Sequence, residues 1–262
     1  MNAPHAHHDA LFEGWLTWLE RIEDDLVSLH ADRRMWQEIA ELLRTNDRIP
    51  ERTFIYAWLR RQYVAAVVMG IRRQAEPRKG VVSLARLLRS IEGNPQVLTR
   101  ERYFELCGPG DDEALLDVTN AVFDKWAGGG GAYVDPAVVG RKLSRLQKVA
   151  SRVKKFADKR IAHADSVPPE EPFAFEDIDE ALDHLGQVLI DVYLLLKCAS
   201  LTSAEPEIVV PWRRAFAVPW LSNDEVATYQ EILKALTGGD ARQDLRLLRY
   251  RCPRVLVSTR FF

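Results

Sequence analysis

Apolar residues return at helical spacing along most of this chain. Leu11, Trp15, Trp18, Leu19, Ile22 and Leu26 recur every three or four positions, the period that gathers side chains on one face of a helix. Asp9 stands where an N-cap belongs, so a first helix is expected from there to about Leu29, followed by a short one over residues 34–43. Its aromatic residues belong to a core rather than to a stacking platform. Pro50 and Glu51 open the next helix, which carries Trp58, Tyr63, Val67 and Ile71 to about Gln74. Pro77 and Gly80 then break the chain, Ser83 caps a helix to about Ile91, and Gly93-Asn94-Pro95 ends it. A helical piece over 99–106 and the break Gly108-Pro109-Gly110 lead to a helix capped by Asp111 or Asp112. Its apolar positions are Leu115, Leu116, Val118, Val122 and Trp126. The four glycines at 128–131 lack the Lys-Ser/Thr or the strand-to-helix setting of a nucleotide loop and read as a flexible connection.

The clearest pattern lies between residues 135 and 199, which read as two helices back to back. Asp135 caps the first and Pro136 occupies its first position, where the missing N–H has no partner to lose. Val139, Leu143, Leu146, Ala150, Val153 and Ala157 form one apolar stripe. Arg141, Arg145, Lys148, Arg152, Lys155 and Lys159 form a second, two residues out of step, hence roughly 200° away and facing water. Continued by four, the basic stripe reaches His163. Residues 137–163 hold nine Lys/Arg and one acid, whereas residues 164–191 hold nine Asp/Glu and no Lys or Arg. Two neighbouring helices that screen one another account for this contrast, and so does a basic track that leads a polyanion to a histidine.

After an extended, proline-rich loop, the second helix buries Ile178, Ala181, Leu185, Val188, Val192 and Leu195 and turns Asp177, Glu180, His184 and Asp191 outward. Beyond Ser200 the pattern changes. The stretch from Pro211 to Trp220 is too rich in proline for a helix, Ser222 and Glu225 form a capping box, and residues 241–262 carry six Arg against one Asp. The expectation is an all-α antiparallel bundle of eight to ten helices over residues 1–200, with a C-terminal extension, 201–262, packed on it.

Composition narrows the partners. With 47% hydrophobic residues, 28% charged residues and a formal charge of −2, the chain is globular and any nucleic-acid signal is local. Cys107, Cys198 and Cys252 lie far apart, with no spacing that suggests a disulfide framework or zinc. The first eight residues are polar and the apolar runs are short, so a soluble, cytoplasmic protein without membrane contact is expected. His5, His7 and His8 read as a tail, not as a metal site.

The phrase Asp158-Lys159-Arg160-Ile161-Ala162-His163, closing a long helix before a loop and another helix, resembles the HEPN superfamily, in particular its abortive-infection protein U-like branch. Gly70-Ile71-Arg72-Arg73-Gln74 through Val82-Ser83-Leu84-Ala85-Arg86-Leu87-Leu88 resembles the part of that branch where a long helix turns into the next. The resemblance implies a dimeric four-to-five-helix bundle of the defence or toxin type and, in active members, RNA cleavage that needs no metal or cofactor. In those members an Arg precedes a His by four to six residues at the dimer groove. His163 matches the His and Asp158 the polar residue after the Arg, while the Arg falls on Ala157. On this reading His163 is the general acid or base on the ribose 2′-OH or the leaving oxygen, with Lys159, Arg160 and Asp158 beside it. Arg152, Lys155, Arg72 and Arg73 contact RNA, and Arg72 or Arg73 supplies the missing cation if its helix packs beside His163. The expected partners are a second copy, RNA, and a cognate antitoxin or defence partner. A non-catalytic HEPN-like dimer that binds protein or RNA is the alternative, and a dimer that sees no nucleic acid is the third.

Overall fold

In the computed structural model, which describes residues 3–46, 52–110, 112–162, 173–207, 210–217, 224, 226–228 and 231, the first helix runs without a break. Helix α1 spans Ala3–Thr45, 43 residues. The expected interruption after Leu29 is absent, because the side chains of the polar stretch there extend the face packed on the rest of the bundle. His30 is buried, and Arg33 donates from Nη1 to Asp183 Oδ1 at 2.6 Å. Asp9 lies inside α1 and pairs with Arg102 instead of capping.

Helix α2 (Arg52–Gln74) returns antiparallel to α1. Gln74 donates to Asp25 at 2.9 Å, and Tyr63 stacks on Trp36 with centroids 5.3 Å apart. Between these contacts Gly70 sits so close that a Cβ there would meet Leu29 Cδ2 at 2.3 Å. The fully buried Gln74 also accepts from Leu84 N, which joins α2 to α3 (Leu84–Gly93). Ser83 caps α3, accepting from Arg86 N as expected. Trp15 Nε1 donates to Ser90 Oγ at 2.9 Å across the α1–α3 contact.

Next comes an arm. A 3-10 turn (Pro95–Val97) leads to α4 (Arg100–Cys107), capped by Thr99, and α5 (Glu113–Ala127), capped by Asp112. The glycine run after α5 is pinned rather than a flexible connection. Arg100 donates to Gly131 O, Asn120 Oδ1 and Asp124, and Asp124 also accepts from Gly130 N at 3.1 Å. At the base of the arm Val134 N donates to Leu98 O and Arg100 N to Ala132 O. Helix α5 buries Thr119, Phe123, Trp126 and Ala127, whereas Leu115 and Val118 are 45% and 59% exposed. The two rings choose that face: Phe123 packs on Tyr103, and Trp126 lies beneath the Lys142 ammonium.

Helices α6 (Pro136–Val149) and α7 (Ser151–Phe156) continue one another through Ala150, and the last six residues, Ala157–Ala162, wind as a π-turn. Helix α8 (Phe175–Lys197) is the centre of the core. It runs antiparallel to α1, as Arg33–Asp183 and Lys197–Glu20 show, and antiparallel to α6–α7, as Lys142–Asp191 and Arg152–Asp177 show. Cys107 at the end of α4 and Cys198 at the end of α8 form a disulfide with Cα atoms 5.3 Å apart, which corrects the expectation of three unpaired cysteines. Separation in sequence hid the contact, since the two cysteines stand 91 positions apart.

The chain divides into two compact units, Met1–Pro206 and Glu207–Phe262. In the second, Trp212–Ala217 form a 3-10 helix where proline content argued against any helix. The expected capping box at Ser222 and Glu225 and the Arg-rich residues 241–262 lie outside the described residues. Among the described residues every regular element is helical, with one isolated bridge between Thr99 and Tyr133. None of those helices is long and apolar enough to cross a membrane.

Candidate nucleic-acid interface

Two faces of α6–α7 differ as their sequence stripes predict. Val139, Leu143, Leu146, Ala150, Val153 and Ala157 are all at most 2% exposed. Arg141, Arg145, Lys148, Arg152, Lys155 and Lys159 all face solvent. A helix 3.6 residues to the turn carries both stripes at once, because burying one row at spacings of three and four forces the row opposite into water.

The regular winding stops at Ala157. In the π-turn each hydrogen bond spans five residues instead of four, a change that recurs at functional sites, and the extrapolation by fours from Lys159 to His163 no longer holds. Ala157 is fully buried, so the position that the resemblance assigns to an arginine has no room for one. The next side chain, Asp158, turns to α2 and accepts from Arg72 Nε at 2.5 Å, with both groups about a third exposed. One turn earlier, Lys154 Nζ lies 3.6 Å from Glu76 Oε2. Arg72 therefore stands beside the π-turn. Arg73 does not: it points back to α1 and pairs with Asp25 at 3.1 Å.

Phe156 and Phe173 stack with centroids 4.0 Å apart and planes within 9°, so the chain leaves the π-turn and returns to it on either side of residues 163–172. Lys155 and Lys159 are exposed, and no ion pair holds them among the described residues. Arg160 is half-buried in the same turn. His163 lies outside the described residues. The π-turn thus gathers Asp158, Lys159, Arg160 and Arg72, with Lys155 one turn away.

The acidic helix takes part of the basic charge. Arg152 Nη1 meets Asp177 Oδ1 at 2.8 Å and Lys142 Nζ meets Asp191 Oδ2 at 2.7 Å. Asp177, expected to face outward, is buried, because its other oxygen accepts from Ala174 N and caps α8. His184 is likewise no simple surface residue. Its ring is half-buried and, among the described residues, its Nε2 has no hydrogen-bond partner. Burial, then the positive charges of Arg145 and Lys142, hold its pKa below the ordinary value. Its position opposite α6 follows from its place on α8, seven residues and thus two turns before Asp191, which pairs with Lys142.

An open hollow of about 620 Å³ lies on the arm among Thr99, Phe104, Gly130 and Tyr133. Its guanidinium, Arg100, is already committed to Asp124 and Gly131, so the hollow offers no spare cation. Among the described residues no cluster of His, Cys, Asp or Glu is placed to hold a metal ion. Set against known proteins, the chain matches no family model, no curated protein and no solved structure.

Proposed function

We propose that this chain is a HEPN-like RNA-binding protein whose α6–α7 ridge follows a phosphate backbone toward the π-turn. The observation that carries the reading is the row of six exposed cations from Arg141 to Lys159 on the face opposite a fully buried stripe. A row of point charges at helical spacing meets successive phosphates without reading bases. In the catalytic form of the proposal, His163 moves the proton of the ribose 2′-OH or of the leaving oxygen, and Lys159, Arg160 or Arg72 stabilises charge on the phosphorane. Arg72 is in reach of that task because Asp158 already anchors it at the turn. A second copy of the chain, a cognate antitoxin or defence partner, and a cytoplasmic setting go with the proposal.

A second reading has its own support. Arg72 is engaged by Asp158 and Arg152 by Asp177, which neutralises two of the cations and favours a non-catalytic module that binds RNA or protein. Incubation of the protein with single-stranded RNA in EDTA separates the two. Cleavage to products ending in a cyclic phosphate, lost in His163→Ala, supports catalysis. Salt-dependent binding without cleavage supports the module, and neither effect removes both.

A further inference from the structure

Cys107 and Cys198 stand at two helix ends. Cys107 is the last residue of α4, and Cys198 is the C-cap of α8. Cys198 has φ 48°, the left-handed conformation that helix ends usually give to glycine, and it is the described non-glycine residue with positive φ. A Cβ is disfavoured there, so a cysteine at that cap points to a use for its sulfur. Both residues are half-buried and keep part of their surface in water, where thiols and disulfides reach them.

The arm that this bond ties down is lightly held elsewhere. Its base is closed by the Val134–Leu98 and Arg100–Ala132 backbone pairs. Farther out, α4 buries Tyr103, whose hydroxyl makes a long 3.4 Å bond to Leu194 O, Arg102 pairs with the exposed Asp9 of α1 and lies over the Phe12 ring, and residues 113–118 of α5 bury no side chain. The disulfide lies one turn beyond Tyr103, at the far end of α4. A fastening there governs whether the tip of the arm stays on α8.

We propose that Cys107 and Cys198 are a reversible redox clamp. Oxidised, the pair fastens the far end of the α4–α5 arm to the end of α8; reduced, it lets that end loosen while the bundle stays folded. In forming the clamp, one cysteine thiolate attacks a sulfur of an external disulfide such as glutathione disulfide. That S–S bond breaks, and the departing thiolate takes up the proton the cysteine gave up. The second cysteine attacks the mixed disulfide and expels the second thiol in the same way. Two protein thiols are oxidised by two electrons, and one external disulfide is reduced to two thiols. In a reducing compartment such a bond is a transient, sensing one. The inference is independent of the RNA reading.

The test uses the full chain in buffers of graded glutathione to glutathione disulfide ratio, with thiols trapped by alkylation, peptides mapped, and amide hydrogen exchange followed by mass spectrometry. The expected result is a cross-linked peptide pair containing Cys107 and Cys198 at the oxidising end, with Cys252 alkylated at every ratio. On reduction, exchange over α4 and residues 113–118 should quicken by about tenfold or more while α6 and the first half of α8 hold their rates. Cys107→Ser and Cys198→Ser should each exchange like the reduced protein in either buffer, and Cys252→Ser like the unsubstituted chain. Three alkylated thiols at the oxidising end, a pairing through Cys252, or unchanged exchange in the arm would overturn the clamp. Exchange that rises through the whole bundle would also overturn it, because the bond would then be a staple of the entire fold.

Discussion

The two ends of the α6–α7 helix teach different lessons. From Pro136 to Phe156 the chain is α-helical on either side of Ala150, and what each side chain does follows from its place in the turn: one row is buried and the opposite row is wet. From Ala157 to Ala162 the winding changes to π, and contacts with another helix decide instead. Asp158 is defined by Arg72 on α2, 86 residues earlier in the chain. Periodicity governs the first end, and cross-helix chemistry governs the second.

The sharpest way to break this comparison is at Ala157. Ala157→Arg restores the residue that the resemblance expects but places a charge in a fully buried site, and it should cost about 4 kcal/mol or more. A melting temperature equal to that of the unsubstituted chain would show that the turn can open to accept it. In the regular part, Leu143→Ala should cost about 2 to 5 kcal/mol by chemical denaturation, because Leu143 is 2% exposed. The acid limb of stability comes next. Burial lowers the pKa of His184 and of His30, helped by Arg145 and Lys142 for the first and by Arg33 for the second. Around His30, Asp183 and Glu205 pull the other way, as do Asp191 and Glu180 around His184. Since both rings bind protons more readily unfolded, their contribution is complete above the ordinary value of 6.5 and falls away as pH drops below it. His184→Gln should flatten that limb in part, leaving the share of His30. At the π end, Arg72→Ala should cost less than about 1 kcal/mol, because water screens a pair a third exposed on both sides. Smallest of all, Lys148→Ala on the wet face should leave the melting temperature unchanged.

Much of the bundle was legible because burial and period agree. The stripes of α6–α7, the apolar face of α8, the Ser83 cap and the turn at residues 76–80 all appear where spacing and breakers put them. Three features were not legible, and each depends on contacts between elements distant in sequence. The continuity of α1 past Leu29 rests on Arg33 meeting α8, the order of the glycine run on Arg100, and the pairing of Cys107 with Cys198 on α4 lying beside α8. At the site, the exposed cations could be counted from the chain. That Arg72 rather than Arg73 stands at the π-turn could not, since adjacent residues on a helix point about 100° apart and only the packing of α2 selects between them.

The central claim is that the exposed row of cations on α6–α7 binds a phosphate backbone. Its most direct test is the affinity for a single-stranded RNA as a function of salt, for the unsubstituted chain and for Lys155→Ala with Lys159→Ala. The account predicts log affinity falling linearly with log salt, and a slope shallower by about 1.4 in the double substitution if each lysine meets one phosphate. An affinity that is absent at low salt, or a slope that the two substitutions leave unchanged, contradicts it.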